Sequence, residues 1–419
     1  MREFEHSYNI LLKILEEGLP FNLAIKSSLK KEKKQPDNDF KIAITASVGC
    51  VLRHYLVFKE IFLKKYPEES EAHFLLFALG LGNHLFSKRF DEKELNKFIV
   101  KESGLEDLPE FINSFDDPNK LIPEEITYNS KKYYSLRYNL PLWIVNMWER
   151  FTGDFLSKKL FRSISHRAET IARVNTQDIS FADFLKKYSD FEGFDEELGL
   201  VKLTKESALK RNPAIKNNDA LMIQAGYSYM LKNLDIDPIR GIAIYSGGPN
   251  QLLEELTLRL GPTFKADYLC GKENVYFDIN NYCKYHNLKN VSLYECDYQS
   301  IITCISKPVH TFFLCPENTY FLGLLERPDY FLTCKQEELD RLINGQKQAL
   351  LEASKQVEDG GDLVYFIPTF CKNEGKGIIH KFLEGHQEFT LVEEKQLFPF
   401  DKYESMLYFA ILRKEVSHD

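Results

Sequence analysis

The chain opens with apolar residues that recur three or four positions apart, which is the spacing of one face of a helix. The pattern runs through residues 5–115 and includes NILLKILEEG, FKIAITASVGCVLRHYLVFKEIFLKKY and EAHFLLFALGLGNHLF. Because no strand-like segment interrupts these helices, residues 1–125 are predicted to form an all-α bundle.

The pattern becomes mixed over residues 126–220. Helical segments around PLWIVNMWERF and GDFLSKKLFRS precede a strand-like TIARVN, a helical ISFADFLKKYSDF and a second strand-like LGLVKLT. This alternation predicts a small α+β middle region.

From residue 221 onward, short apolar strands alternate with helices. The strands are read in GIAIYS, FKADYLC, VSLYEC, HTFFLC and DLVYFIP, and the long amphipathic helix QEELDRLINGQKQALLEASKQV is predicted to end at Gly360-Gly361. EFTLVEE and SMLYFAIL then suggest an antiparallel hairpin at one sheet edge. The pattern predicts a parallel sheet covered by helices on both faces. The whole chain is therefore expected to be a multi-domain α and α/β protein with this domain at residues 221–419.

Composition narrows the class of protein. The chain has 419 residues and a net charge of -8. No run approaches the roughly 18 apolar residues of a membrane span, and the first residues mix acids with apolar side chains. We expect a soluble, cytoplasmic monomer that makes no membrane contact. The eight cysteines form no CxxC pair, so no metal site is predicted and most thiols are expected to be buried.

The stretch from Lys131 to Arg173 is basic although the net charge of the chain is negative. Tyrosines and tryptophans are interleaved with its charges, a mixture that suits RNA, whose exposed bases stack on aromatic rings. The alternative is a solvated helix face above core aromatics. The candidate RNA-binding residues are Lys131, Lys132, Arg137, Arg150, Lys158, Lys159, Arg162 and Arg173.

Three strand ends are candidates for chemistry, since ligands of doubly wound sheets bind at the carboxyl ends of the strands. Ser246-Gly247-Gly248-Pro249 follows GIAIY and is either a ligand loop or an ordinary tight turn. Asp297 follows VSLYEC and is either a ligand for ribose or adenine or a helix N-cap. Cys315, at the end of HTFFLC, is either a reactive or a buried thiol.

Several segments, taken together, resemble one known family. Ala46–Arg53 is similar to its "YGVLR" segment, Leu140–Val145 to "HPxWLV", Arg173–Thr176 to "LRVNT", and Ile223-Gln224 with Ser228 to "VQDxAS". Arg327-Pro328-Asp329, Gln346–Ala353, Gly360-Gly361 and Leu363–Tyr365 follow the family's "RHPD…LQ..LLDAA…GG.LVYSTCT" in order. The family is that of the 16S ribosomal RNA cytosine-5 methyltransferases of the Sun/Fmu type, which carry a NusB-like N-terminal domain.

The resemblance implies a NusB-like bundle and a Rossmann-like class I methyltransferase domain that uses S-adenosylmethionine. Its "DLCAAPGGKT" loop falls on Ile244–Leu253, where both later glycines and the lysine are absent. By position, the cofactor-binding residues would be Ser246, Gly247, Gly248, Pro249, Cys270, Asp297 and Leu314.

The resemblance also locates the two catalytic cysteines, one of which attacks C6 of cytosine. They fall on Glu317 and Pro368, and the nearest thiols, Cys315 and Cys371, are displaced candidates. A displacement of two residues along a strand is about 6–7 Å, more than reaction geometry tolerates. We therefore expect an RNA-binding protein of this family with lost or impaired catalysis, whose partner is ribosomal RNA or a ribosomal precursor. The alternatives are an active methyltransferase with a displaced cysteine and a protein-interaction adaptor.

Overall fold

The computed structural model describes residues 2–30, 38–164, 169–204, 212–248 and 250–416, without the side chain of Glu326. The chain divides into two compact units. The first comprises Met1–Ser165 with Gly323–Gln336, and the second comprises His166–Leu322 with Glu337–Asp419. The division into residues 1–125, 126–220 and 221–419 stays a prediction.

The first unit is helical in its described residues. Its central helix is α5, in which almost every residue is buried because the segment is apolar all round. The helices are α1 (Glu3–Glu16), α2 (Phe21–Lys30), α3 (Asn38–Arg53), α4 (Tyr55–Lys65), α5 (Glu71–Gly82), α6 (Glu92–Ser103), α7 (Leu108–Asn113), α8 (Lys131–Tyr138), α9 (Leu142–Ser163), α16 (Gly323–Glu326) and α17 (Tyr330–Thr333).

The segment that contains Arg327-Pro328-Asp329 belongs to this helical unit, although it lies far along the chain. Asp329 is 1% exposed and accepts a hydrogen bond of 3.1 Å from the backbone N–H of Phe21, the first residue of α2. The Phe331 ring packs 5.4 Å from the Tyr55 ring. The carboxylate thus caps a helix start, where unpaired N–H groups and the helix dipole favour negative charge.

The second unit contains a small antiparallel sheet of four strands among its described residues. The strand order is β2-β3-β1-β4, and α10 and α11 lie in the same part of the chain. The bounds are β1 (Ile171–Val174), α10 (Phe181–Lys187), β2 (Phe191–Asp195), β3 (Leu200–Leu203), α11 (Pro213–Lys216) and β4 (Ala220–Met222).

The described part of the second unit also contains a seven-stranded sheet of order β10-β11-β9-β8-β5-β6-β7. Strands β5 to β9 run parallel, and β11 is antiparallel to both of its neighbours. The bounds are α12 (Ala225–Leu231), β5 (Ile242–Ser246), α13 (Leu252–Leu260), β6 (Ala266–Cys270), α14 (Glu273–Tyr285), β7 (Val291–Glu295), α15 (Ile301–Cys304), β8 (Val309–Cys315), α18 (Leu339–Ser354), β9 (Val357–Ile367), α19 (Lys376–Gly385), β10 (Phe389–Leu397) and β11 (Leu407–Lys414).

The central strands bury both of their faces, which is why they are apolar runs in the sequence. Along β8, Phe313 and Cys315 belong to one hydrophobic cluster, whereas Phe312 and Leu314 belong to the cluster on the opposite face. The predicted fold class, helical at the N-terminal end and α/β beyond it, is confirmed.

The predicted end of the long helix is wrong. Helix α18 ends at Ser354, and Gly360 and Gly361 lie inside strand β9. A Cβ atom on Gly361 would lie 2.6 Å from the carbonyl oxygen of His310. The glycine is therefore needed for close approach of two strands rather than for a helix end.

Among the described residues, no single helix has both the length and the apolar composition that a bilayer crossing requires. One pair, α3 with α4, passes that test when the two helices are taken together, and they are bent by 70°.

Candidate functional site

Four parallel strands of the second unit, β5 to β8, end at the same edge of the sheet, here called the carboxyl edge. Backbone hydrogen bonds continue one residue past the strands: Gly247 N–H donates to Cys315 O at 2.8 Å, and Gly271 N–H to Ser246 O at 2.8 Å. The loops that follow these strands are thereby held side by side, at the place where open α/β sheets bind ligands.

The loop after β5 is folded upon itself. Ser246 Oγ donates to the carbonyl oxygen of Gly248 at 2.6 Å, and Asn250 Nδ2 donates to Ser246 Oγ at 2.7 Å. Asn250 Oδ1 also accepts from the N–H of Leu252 at 3.1 Å, at the start of α13. Side chains of the loop therefore satisfy its own polar groups. Pro249 lies outside the described residues.

Gly247 lies against the loop that follows β8. A Cβ atom at this position would be 2.3 Å from the backbone nitrogen of Glu317, a separation that real Cβ atoms do not adopt. Gly271, after β6, is crowded in the same way by the hydroxyl of the buried Tyr245, at 2.6 Å. Both glycines are thus required by close packing within the carboxyl edge.

At the end of β6, the buried Cys270 is followed by Gly271 and then by the exposed Lys272. Burial raises the pKa of the Cys270 thiol to about 12. Asp267 lies within the strand and accepts a hydrogen bond of 3.2 Å from the Tyr294 hydroxyl. The first charged side chain after the strand is the cation Lys272, and the exposed acid Glu273 follows it.

Lys272 forms an ion pair with Glu317, with 2.5 Å between Nζ and Oε1. Arg341 of α18 binds the other carboxylate oxygen at 3.0 Å, and it also binds Glu338 at 2.7 Å. Burial opposes ionisation of Glu317, but the hydrogen bonds from Arg341 and Lys272 outweigh it and lower the pKa of this carboxyl. Glu317 is therefore a carboxylate held between two cations.

Asp297 is exposed after the end of β7, as the sequence suggested. Its carboxylate accepts a hydrogen bond of 2.9 Å from the N–H of Gln299, at the start of the short 3-10 turn Tyr298–Ser300. The side chain therefore acts as a cap, and its exposed position still leaves a ligand role open.

The two candidate thiols, Cys315 and Cys371, are buried near the ends of β8 and β9. Leu314 and Cys315 are 0% exposed, and burial raises the pKa of the Cys315 thiol well above its usual value. Cys371 is also buried, and desolvation together with the charge of Glu374 raises its pKa. Both thiols are in their protonated form at neutral pH, and a protonated thiol is a poor nucleophile.

A buried polar cluster surrounds Glu374, just beyond Pro368 at the end of β9. Its carboxylate accepts bonds from Thr319 N–H at 2.8 Å, Thr319 Oγ1 at 2.6 Å and Gln346 Nε2 at 2.8 Å. Desolvation raises the pKa of Glu374 despite these donors. Thr369 joins the cluster through a 2.6 Å bond between its hydroxyl and that of Thr319. The cluster ties together the segments that follow β8 and β9.

Arg173 lies in the interior of the second unit, with its side chain 13% exposed. Its guanidinium binds Glu255 of α13 at 2.9 Å and the carbonyl oxygen of Leu198 at 2.7 Å. Ser228 donates to the other oxygen of Glu255 at 2.9 Å. Two residues of the family-like segments, Arg173 and Ser228, thus meet at one buried carboxylate.

The other basic candidates belong to α8 and α9 of the first unit. Lys131 pairs with Glu149 at 2.9 Å, Lys132 with Glu60 at 2.5 Å, and Lys158 with Asp154 at 2.7 Å. Arg137, Arg150, Lys159 and Arg162 are exposed. Several of the interleaved aromatic rings are core rather than surface, since Tyr134, Trp148 and Phe161 are buried and pack together.

Lys272 and Arg341 were not among the residues that the sequence analysis singled out, whereas Thr369 and Glu374 match the family beyond Pro368 and only their bonds to Thr319 and Gln346 are new. Lys272 directly follows a strand that was read correctly, so its position after the strand end was an available signal. Arg341 and Gln346 lie on α18, and nothing local in the sequence pairs them with Glu317 or Glu374. Among the described residues, no group of three or more His, Cys, Asp or Glu side chains is arranged to hold a metal ion.

Comparison with known proteins supports the fold without assigning a family. No protein-family model matches the sequence, and no curated protein matches it. The structure resembles that of PH0851, with a TM-score of 0.73 and 16% identity over 99% of each chain. It also resembles a methyltransferase homolog from Pyrococcus horikoshii, with a TM-score of 0.58 and 15% identity over 69% of this chain and 100% of that one. NSun6 from the same organism, solved with SFG, has a TM-score of 0.57 and 12% identity over 66% and 99%.

Proposed function

We propose that this chain is an RNA-binding protein with a methyltransferase fold in which methyl transfer has been lost or impaired. The observation that carries the proposal is the state of Glu317. This residue occupies the position of a catalytic cysteine in the family that the sequence resembles, and it forms ion pairs with Lys272 and Arg341. A carboxylate neutralised by two cations cannot replace a thiolate that must add to cytosine.

Residues at the carboxyl edge also argue against binding of S-adenosylmethionine. Where the family has an acid for the ribose hydroxyls of S-adenosylmethionine, this chain has the buried Cys270. Where the family has a lysine, this chain has the fully buried Leu252. The residues present therefore do not fit S-adenosylmethionine in the way that the family holds it.

The thiols offer no ready substitute. Cys315 and Cys371 are buried and have raised pKa values, whereas a catalytic cysteine needs an exposed thiol of lowered pKa. Pro368, at the position of the second family cysteine, has no nucleophilic atom. An active enzyme would have to rearrange the Glu374 cluster before Cys371 reached a substrate.

The RNA part of the proposal is supported by the family resemblance and by the exposed arginines Arg137 and Arg150. The name of one structural neighbour, a methyltransferase homolog, agrees with the methyltransferase fold in the proposal. The expected partner is ribosomal RNA or a ribosomal precursor, bound by a monomeric, cytoplasmic protein whose NusB-like domain spans residues 1–125. Because Lys131, Lys132 and Lys158 are paired with acids, the two arginines should contribute more to phosphate binding.

The cofactor half of the proposal is tested by isothermal titration calorimetry with S-adenosylmethionine. We expect no binding at millimolar cofactor. Micromolar binding that Asp297→Ala abolishes, and that the strand-interior control Asp267→Ala leaves intact, would overturn the proposal. That result would favour the second candidate, an active RNA cytosine-5 methyltransferase, for which the exposed position of Asp297 is the supporting observation.

The RNA half is tested by fluorescence anisotropy with fragments of 16S ribosomal RNA at several salt concentrations. We expect affinity to fall steeply with salt, and Arg137→Ala with Arg150→Ala to weaken binding and flatten the salt slope. Lys131→Ala, which removes a paired charge, is the matched control and should have a smaller effect. Absence of binding even at low salt would contradict the proposal and favour a protein-interaction adaptor.

A further inference from the structure

A cavity of about 200 Å³ lies between helices α13 and α14 and strand β6. Gly248 and Asn250 of the loop that follows β5 belong to its lining, so the cavity adjoins the carboxyl edge. Asp297, Glu317 and Lys272 are not among its described lining residues. Its volume exceeds the roughly 30 Å³ that one water molecule occupies in the liquid.

Three polar atoms of the cavity lining are shielded from solvent and complete no hydrogen bond of normal geometry among the described residues, although the Tyr268 hydroxyl lies near Ser246 and the Tyr282 hydroxyl near Thr257. They are Glu254 Oε2, Tyr268 Oη and Tyr282 Oη. Although Glu254 as a whole residue is only partly buried, its Oε2 atom is not accessible to solvent. A buried polar atom without a partner costs about 1–3 kcal/mol. Three such atoms around one cavity therefore indicate an occupant that supplies hydrogen bonds or charge.

The charges of the lining define the chemistry of that occupant. Glu254 and Asp278 are both acids, and the described lining contains no lysine, arginine or histidine. Burial raises the pKa of Glu254 to about 7, so a neighbouring cation would strongly favour its ionised form. The two acids therefore favour a positively charged ligand.

The aromatic part of the lining favours an organic cation over a metal ion. Tyr268 and Tyr282 line the cavity from β6 and α14, and tyrosine rings attract ammonium groups through their negative faces. The described residues offer no cluster of three metal-ligating side chains here or elsewhere. An alkylammonium group would fill more of the volume than an isolated ion would.

We propose that this cavity binds a small organic ammonium ion, with Glu254 as its counter-ion and the rings of Tyr268 and Tyr282 beside it. Asp278 lies at the exposed side of the same space and adds negative charge there. The site requires neither methyl transfer nor RNA binding, and so it stands whether or not the function proposed above is correct.

The probe for this site is choline, compared with 3,3-dimethyl-1-butanol, which has the same shape but no charge. Calorimetric titration of the full chain should show saturable binding of choline at least tenfold tighter than binding of the neutral alcohol. Equal affinities would show a merely apolar cavity, and absence of choline binding would show a water-filled one. Either result would overturn the proposal.

Substitutions of the lining residues test whether choline binds in this cavity. Glu254→Gln keeps the shape and removes the charge, and we expect it to weaken choline binding at least tenfold. Glu273→Gln, an exposed acid at the start of α14, is the matched control and should leave the affinity within twofold. Tyr282→Phe, which keeps the ring and removes the hydroxyl, should weaken binding less than Tyr282→Leu, which removes both. Choline binding that survives Glu254→Gln unchanged would contradict the assignment.

Discussion

Lys272 and Glu317 join the ends of β6 and β8 across β5, which lies between these strands in the sheet. The bond crosses the part of the carboxyl edge where a nucleotide ligand of such a sheet would lie. The loops after β5 and β8 approach closely beside this ion pair, since Gly247 donates to Cys315 O at 2.8 Å and admits no side chain.

Glu317→Gln should destabilise the second unit modestly at neutral pH. Exposed ion pairs contribute about 0–1 kcal/mol each, so the loss of two should cost about 1 kcal/mol. Because the pKa of Glu317 is lowered on folding, its contribution is present above the unfolded pKa and is lost as the pH falls through the folded pKa. Thermal unfolding curves of wild type and variant should therefore converge in acid.

Glu352→Gln is the control for that measurement, since Glu352 on α18 forms a single ion pair, with Lys355. A smaller shift is expected for it. Equal shifts for the two variants would mean that the bonds from Lys272 and Arg341 contribute nothing particular to stability.

Glu254 should make the second unit less stable as the pH rises from about 4.5 to about 7. Burial raises the pKa of Glu254 from 4.5 to about 7, so the folded protein keeps a proton that the unfolded chain has lost. At roughly 1.4 kcal/mol per pKa unit, the difference between 4.5 and about 7 corresponds to at most about 3.5 kcal/mol. The groups that face it are Tyr227 on α12, Tyr268 on β6, and Asp278, Tyr282 and Cys283 on α14.

Glu254→Gln should remove this pH dependence and raise the midpoint of urea unfolding at pH 8. The control is Glu273→Gln, which should keep the slope of the wild type. If the wild type shows no loss of stability between pH 5 and 7, the buried carboxyl is satisfied by groups that lower its pKa.

Arg173→Ala should destabilise the second unit by about 3–5 kcal/mol. The substitution removes the ion-pair partner of Glu255, which is 1% exposed, and leaves only the weaker attraction of Arg259 and the bond from Ser228. Urea unfolding followed by circular dichroism would measure the loss, and Arg150→Ala, at an exposed position of α9, should change stability by less than about 0.5 kcal/mol. A stable Arg173→Ala protein with weakened RNA binding would instead return Arg173 to the RNA-binding set.

Thiol labelling should separate the cysteines by burial. Cys304 and Cys334 are partly exposed and should react first with a disulfide reagent at pH 8. Cys315 and Cys371 should react only as the protein unfolds, because their pKa values are raised and they are buried. Mass spectrometry of the labelled peptides would identify the order. Rapid labelling of Cys371 in the native protein would support its role as a displaced nucleophile.

Sequence patterns predicted the architecture well wherever burial is continuous along an element. Strands β5, β6 and β8 are buried on both faces, so their apolar runs were unmistakable. Gly360-Gly361 was misread because glycine ends helices and also permits close strand contacts, and only the position of His310 distinguishes the two uses.

The candidate site was harder to predict, because its partners lie far apart in sequence. Lys272 and Arg341 lie 45 and 24 residues from Glu317, and no local spacing relates them. Arg173 shows the same difficulty for a charged residue. It was predicted to bind RNA because it lies in a basic stretch, whereas its side chain pairs with Glu255 of α13 in the interior. Charged residues can be counted from a sequence, but which of them form ion pairs with each other is seen only in the folded structure.

The contact between Asp329 and the start of α2 has a consequence for biosynthesis. The helical unit takes its last piece, residues 323–336, from beyond the first half of the α/β unit. During synthesis on the ribosome, about 170 residues beyond residue 165 must therefore be made before the helical unit is complete. Only then can the Phe21 amide form its hydrogen bond with Asp329. A fragment that ends at residue 165 should be less resistant to proteolysis than the same helices in the full chain, and adding residues 323–336 as a separate peptide should restore part of that resistance.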